Sequence, residues 1–486
     1  MNITQVLKDT VFRRIFLFSV LIKFGFLYFL PSSPSALAPD EGAYSQIALW
    51  FSNGNDLSNS ATLGMGLYES SRSLIIPAGI LCKLGVPSLY AVRITSVIYG
   101  LLSILIFMTI VLNFNILKNS LKPKKILRLD LLAVLFFIFL PSHFLWSELG
   151  LRESASEFWI LLSTFFLLKI YKNSDFKNFY YYYIYFAISL TLAIGSRKQT
   201  AMVFIFAIFL AQLLTRINKR TFLVLGSLFS SGVLGLILVS TPVLAVQKIY
   251  ELEPLNTIKI QVSPSASTTK VATSKPTKAV TKRATPTATP CFTPDQIVKV
   301  GQEEYICKLK TEKVVKKIIS ENTISQIPSA KLNDLQTYYE LNRAHAESAL
   351  PESKCNQHKD SFLNITVCLA KELPYRTASI LFRPLFPFDS GSSSYNLASF
   401  ENYFWIILTI ILLMSLYQLF RRFNYRYELN FVYIFVVGFI VGSALYEGNL
   451  GTAFRHKSSI LWCLLLITYI YIQNLYASKV SNTDRK

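Results

Sequence analysis

Four groups of ionisable side chains stand where apolar stretches of this chain end. They are Asp40-Glu41 in "PDEGAYSQIALWF"; Glu148, Arg152 and Glu153 in "SELGLRESAS"; Arg197-Lys198 in "GSRKQ"; and Arg455-His456-Lys457 in "GTAFRHKSS". A carboxylate beside a hydroxyl can take its proton as a bond forms. Guanidinium and ammonium groups hold phosphate oxygens by charge-assisted hydrogen bonds. Gathered on one side of a membrane, such groups suit a reaction on an anionic, lipid-linked substrate. Each also has a plainer role. Asp40 can cap a helix, Glu148 and Arg152 have the spacing of an i, i+4 pair, and Arg197-Lys198 can snorkel to lipid headgroups. Residues 455–457 can be a solvated loop. The conjunction argues for a site, because ionisable groups at membrane depth are costly and functional by default.

The elements that must position these groups are membrane helices. The 486 residues are 52% hydrophobic and 16% charged. Several apolar runs reach the roughly 20 residues that a helix needs to cross a ~30 Å hydrocarbon core. The formal charge of +21 is concentrated in short loops between runs, as the positive-inside bias requires, and no nucleic-acid motif is present. The fold class expected is an all-α polytopic membrane protein of about ten transmembrane helices. They are predicted near 14–31, 89–114, 129–146, 155–171, 179–195, 199–214, 221–246, 402–420, 429–446 and 458–477. The expected setting is the cell (plasma) membrane, multi-pass, with both termini cytoplasmic and residues 247–400 extracytoplasmic. On that map all four ionisable groups face outward, and the basic ones defy the inside bias. Lys8, Arg13 and Arg14, an apolar run and "ALA" at 36–38 have the layout of a secretory signal. Pro39 is unfavourable after a cleavage site, so an uncleaved first span is expected.

Four regions follow. Residues 1–246 form a transmembrane module whose first outer loop, 32–88, carries the acidic pair. Residues 247–294 form an extracytoplasmic tether rich in Ser, Thr, Pro and Lys, a composition that buries too little apolar surface to fold. Residues 295–400 form a small extracytoplasmic cap domain between spans seven and eight, and 401–486 carry three further helices. In the first loop, Tyr44, Ile47, Ala48 and Phe51 make an i, i+3, i+4, i+7 stripe while Ser45 and Gln46 face away. Residues 73–86 are apolar but short. Two interfacial helices are predicted there. Of six cysteines, Cys82 and Cys463 lie in apolar segments. Cys291, Cys307, Cys355 and Cys368 lie in the outer segment, where two disulfides are expected in any of three pairings; a zinc site is the rival, without a paired C-x-x-C.

A first span followed by an outer loop opening on an acidic pair resembles the GT-C superfamily of membrane glycosyltransferases. That superfamily includes protein mannosyltransferases, aminoarabinose transferases and the Rgt-type enzymes of bacterial envelopes. The resemblance extends over about residues 10–246 and the last two spans. It implies inverting transfer of a sugar from a polyprenyl-phosphate donor to an envelope glycan, lipid or protein acceptor. By that resemblance Asp40 or Glu41 is the base, and Glu148 and Glu153 occupy the second acidic loop. Arg152, Arg197, Lys198, Arg455, His456 and Lys457 would meet donor phosphate. The "H-P-P-L" frequent in the superfamily is replaced here by "ESSRSLIIPAG". No cofactor is implied with certainty, and a divalent metal stays open.

Three rivals remain at this point. A lipid-linked-sugar transporter or flippase predicts inverted repeats and charges within spans. An O-antigen-type polymerase or ligase uses outward Arg residues but does not need the acidic pair. A scaffold would make the cysteine-bearing outer domain its working part.

Overall fold

The computed structural model describes residues 4–32, 39–53, 71–114, 128–172, 179–214, 223–235, 297–300, 303–306, 339–340, 343, 353, 355, 362–385, 393–421 and 429–483. The chain divides into two units, Met1–Val239 with Glu321–Lys486, and Ser240–Ser320. In the second unit the described residues form one antiparallel hairpin, β1 (Ile297–Val300) and β2 (Glu303–Ile306), with Ile297 opposite Ile306. β-branched Ile and Val recur over this short run, and the other described elements are helical, as the all-α expectation has it. The tether at 247–294 lies outside the described residues, as do Cys291 and Cys307.

The first unit is helical: α1 (Thr4–Lys8), α2 (Thr10–Phe29), α3 (Pro39–Ser52), α4 (Arg72–Lys83), α5 (Ser88–Asn113), α6 (Leu129–Phe139), α7 (Pro141–Glu148), α8 (Arg152–Lys172), α9 (Phe179–Ser196), α10 (Lys198–Leu213) and α11 (Leu223–Gly235). After the second unit come α12 (Phe362–Phe382), α13 (Ser393–Arg421), α14 (Asn430–Tyr446) and α15 (Leu450–Lys457). A short 3-10 turn joins α15 to α16 (Leu461–Thr483). Four helical stretches are long and apolar enough to cross a membrane: Ser88–Asn113, Arg152–Lys172, Asn396–Leu419 and Leu450–Tyr476. A fifth is added if α6 and α7, bent by 48° at Leu140–Pro141, count as one span. Proline at the first position of α7 lacks the N–H that would continue the ladder, so the break has a local cause. The chain is thus a helical protein compatible with a multi-pass membrane setting. Among the described residues four to five helices, fewer than the expected ten, meet both length and composition. The rest are shorter, like α10, α11 and α14, carry charge, like α2 with Arg13, Arg14 and Lys23, or are made less apolar by tyrosine, like α9 with Tyr180, Tyr181, Tyr182 and Tyr183.

The segment between α2 and α5 is organised by burial against protein. Tyr44, Ile47 and Ala48 are buried in the core cluster with Leu74, Ile75 and Ala78 of α4 and Ala91 and Val92 of α5. The apolar stripe of α3 therefore faces its neighbours. Gly79 permits the approach, since a Cβ there would sit 3.2 Å from the Ala48 carbonyl oxygen. Gln46 is exposed as expected, but Ser45 is buried and shares a 2.8 Å hydrogen bond with Ser88. Helix α4, at 12 residues, is too short to span. It ends in a Schellman turn: Val86 N–H donates to Leu81 O, Gly85 N–H donates to Cys82 O, and Gly85 has φ +92°, the left-handed conformation glycine supplies.

Candidate active site

Helix α3 opens with Pro39, and its first turn holds Asp40 and Glu41, where the positive end of a helix favours carboxylates. The two neighbours diverge completely. Glu41 is buried and paired with buried Arg93 of α5, which donates from Nε at 2.5 Å and Nη2 at 3.1 Å. Arg93 also donates from Nη1 to the Pro31 carbonyl at 2.8 Å. Burial raises the Glu41 pKa, and the Arg93 guanidinium opposes that rise. A carboxylate sealed under an arginine cannot act as base, so Glu41 is a structural anchor here. Asp40 keeps 42% of its side chain exposed and accepts a 2.7 Å hydrogen bond from Arg455 Nη1.

Arg455 reaches Asp40 from α15. That short helix is started by Asn449, whose side chain accepts from Gly451 N–H and Thr452 N–H. Its three basic residues fall in the last turn, where the helix dipole favours cations. Arg455 Nε lies 3.1 Å from Glu153 Oε1. The same oxygen is 3.8 Å from Arg197 Nη1 and 3.9 Å from His456 Nε2. Glu153 is thus the hub at which α8, the α9–α10 junction and α15 meet. Neither Arg197 nor Arg455 stands without an acidic partner, contrary to their isolation in the sequence. Arg197 is 1% exposed, yet its Nε, Nη1 and Nη2 have no hydrogen-bond partner among the described residues. Arg152, at the start of α8, adds its field to Glu153 and Tyr44. Tyr44 is buried beside this group, which pushes its hydroxyl pKa up.

The remaining predicted residues go elsewhere. Glu148 turns into the helix bundle and pairs with buried Lys23 at 3.2 Å. The i, i+4 pair with Arg152 does not form because Gly150, at φ +64°, separates α7 from α8. Lys198 is exposed. Lys457 is buried and donates to Asn402 Oδ1 and to the Ile380 and Leu381 carbonyls, so it caps the end of α12 rather than meeting a phosphate. Cys355 and Cys368 form a disulfide. With Glu372 they make the one group of metal-ligating residues within mutual reach among the described residues, and the disulfide occupies both thiols. Asp40 and Glu153 already converge on Arg455, and no three-donor metal set forms around them among the described residues.

Three contributors escaped the sequence reading. Arg93 is a lone cation early in an apolar run, and Lys23 is another. Glu447 directly follows the apolar run of α14, eight positions before Arg455, and its Oε1 bonds His456 Nδ1. A single ion inside an apolar stretch marks Arg93 and Lys23, and a single ion at the end of one marks Glu447. The arrangement can bring one exposed carboxylate, one shared buried carboxylate and at least two guanidinium groups against an anionic substrate. No protein-family model matches the chain, and no curated protein matches it.

Proposed function

We propose that the protein is an integral membrane glycosyltransferase of the GT-C type. It would move a sugar from a polyprenyl-phosphate-linked donor to an envelope glycan, lipid or protein acceptor at the outer face, with inversion. The observation that carries this reading is the contact chain Asp40–Arg455–Glu153–Arg197, in which an exposed carboxylate leads through a half-buried guanidinium group to a buried one. The acceptor hydroxyl gives its proton to Asp40 while its oxygen attacks the anomeric carbon. The bond from that carbon to the phosphate oxygen breaks, and the electron pair stays on phosphate. Arg197 and Arg455 face the charge that accumulates there, and stabilising developing charge in a dry site is the strongest lever such a site has. In this reading about ten spans hold the groups at the outer face, both termini are cytoplasmic, and residues 247–400 are extracytoplasmic. The test is transfer of labelled sugar from a polyprenyl-phosphate donor by purified, reconstituted protein; absence of transfer across a panel of such donors would sink it.

A second reading has one observation in its favour. Lys23 with Glu148, and His143 with Glu157 at 3.1 Å, are ionisable pairs buried between helices. Transporters place such groups along substrate or proton paths. Movement of a fluorescent lipid-linked sugar across proteoliposomes without transfer would favour a flippase.

A further inference from the structure

The glycosyltransferase reading leaves one buried pair unused, and this inference rests on that reading. Glu447 and His456 are both buried and hydrogen-bonded to each other through Nδ1. Glu447 is fixed at the end of α14, where its N–H donates to the Ser443 carbonyl at 2.9 Å. His456 Nε2 has no hydrogen-bond partner among the described residues and lies 3.9 Å from Glu153 Oε1. Arg197 stands 3.8 Å from Glu153, also within the field of Glu447, and hydrogen-bonds neither. An anion arriving at Arg197 therefore competes with ionised Glu447 for one guanidinium group.

We propose that Glu447 and His456 determine which anion the site accepts, by tying the binding of a phosphodiester monoanion at Arg197 to the uptake of one proton by the pair. The groups facing the pair are Tyr446 on α14, Arg197 at the start of α10, Arg152 and Glu153 on α8, and Arg455 on α15. Lys457 is turned away to Asn402 and the end of α12, and Asp40 and Tyr44 stand beyond Arg455. The guanidinium groups stay charged throughout, and a phosphodiester has no proton to exchange in this range. Burial pushes the Glu447 carboxyl up to about 7, against the pull of Arg197, Tyr446, Arg455 and Arg152. A bound monoanion cancels part of the Arg197 pull, so the pKa rises further in the complex. Binding then takes up a proton. Affinity is full below the free-state midpoint and falls by up to tenfold per pH unit above it, levelling off at the bound-state midpoint.

The probe is farnesyl methyl phosphate, a permanent monoanion that needs no knowledge of the sugar. Its binding to the detergent-solubilised full chain is followed by calorimetry from about pH 6 to about pH 9, in buffers of different ionisation enthalpy. The expected result is proton uptake by the natural protein at pH values above the free Glu447 midpoint of about 7, and none by Glu447→Gln, which binds with pH-independent affinity. If Glu447→Gln fails to fold, His456→Gln serves, and its midpoint must move. Binding without proton uptake by the natural protein, or uptake unchanged in the variants, overturns the linkage and leaves the glycosyltransferase reading standing. No binding of the probe at any pH overturns the anion site itself. Sugar transfer is measured separately, so a protein that binds with proton uptake but transfers nothing loses the reading and keeps the linkage.

Discussion

Asp40 and Arg455 stand 415 residues apart in the chain and 2.7 Å apart in the fold. The contact joins the first turn of α3 to the last turn of α15. It leaves Asp40 well exposed while Arg455 is held from behind by Glu153. One oxygen of Asp40 is thereby oriented and the carboxylate still meets solvent, which is what a base for an incoming hydroxyl needs.

Asp40→Asn is expected to lower sugar transfer by roughly 10²–10⁴-fold, the usual contribution of a positioned general base, with the protein still folded. Asp40 lies one residue past Pro39, inside the first turn of α3, where a carboxylate that only answers the helix dipole is worth about 0.3–1 kcal/mol of stability; such a role would leave the transfer rate unchanged. Transfer rates of the two proteins at saturating donor distinguish the roles.

Arg197→Ala is expected to weaken donor binding through lost charge-assisted hydrogen bonds, worth roughly 1.5–3 kcal/mol each. Lys should restore only part, because a point charge cannot reproduce bidentate guanidinium contact. The side chain is sealed from water, so an anchoring role at the lipid headgroups is excluded by its burial. Donor titrations at fixed acceptor give the comparison; an unchanged half-saturation in both variants removes Arg197 from the site.

Glu41 and Arg93 hold the site without entering it. Their pair ties the start of α3 to α5 and to the Pro31 carbonyl after α2. Gly150 closes over it: a Cβ there would sit 2.9 Å from Val92 Cγ1 and 3.3 Å from Glu41 Oε1. Arg93→Ala leaves a buried carboxylate unpaired, which costs about 3–5 kcal/mol. Thermal unfolding of Arg93→Ala should fall far below that of an exposed control such as Lys198→Ala. Equal stability of the two would show that the pair is not a lock.

Gly448 packs directly against the backbone of Tyr339 and Arg343. A Cβ there would collide with the Tyr339 carbonyl and lie 2.6 Å from Arg343 N. Both obstacles are backbone and cannot swing aside. Tyr339 is itself clustered with Ile380, Ala444, Leu450 and Ala453 and lies under the Arg376 guanidinium at 4.0 Å. Gly448→Ala should cost roughly 1–3 kcal/mol, as overpacking does, and should speed proteolysis around 339–343. Unaltered cleavage kinetics would contradict the packing.

Much of the architecture could be read from the chain because it is encoded locally. Apolar runs long enough to cross a bilayer, basic loops between them and the 3.6-residue stripe of α3 depend only on neighbours in sequence. Hydrogen bonds within a helix need no distant partner. The four clusters of charge were visible for the same reason, since an ion at the end of an apolar run stands out wherever the run goes. Cys355 and Cys368 were among four cysteines to pair, but only the fold brought these two together.

What local pattern could not decide was the partner of each charge. Asp40 and Glu41 are adjacent, yet a helical turn of about 100° per residue sends one to Arg455 and solvent and the other under Arg93. Gly150 turns left-handed and redirects Glu148 to Lys23 and Glu153 to Arg197 and Arg455. Lys457 looks like its neighbour Arg455 in sequence but rotates to the end of α12. Glu447 acquires meaning only when α15 folds His456 back onto it. The amino-acid sequence by itself determined that this protein gathers ions at the ends of apolar helices. The tertiary structure alone decided which become anchors and which remain open to a substrate, because a buried charge must find its counter-charge wherever packing puts it.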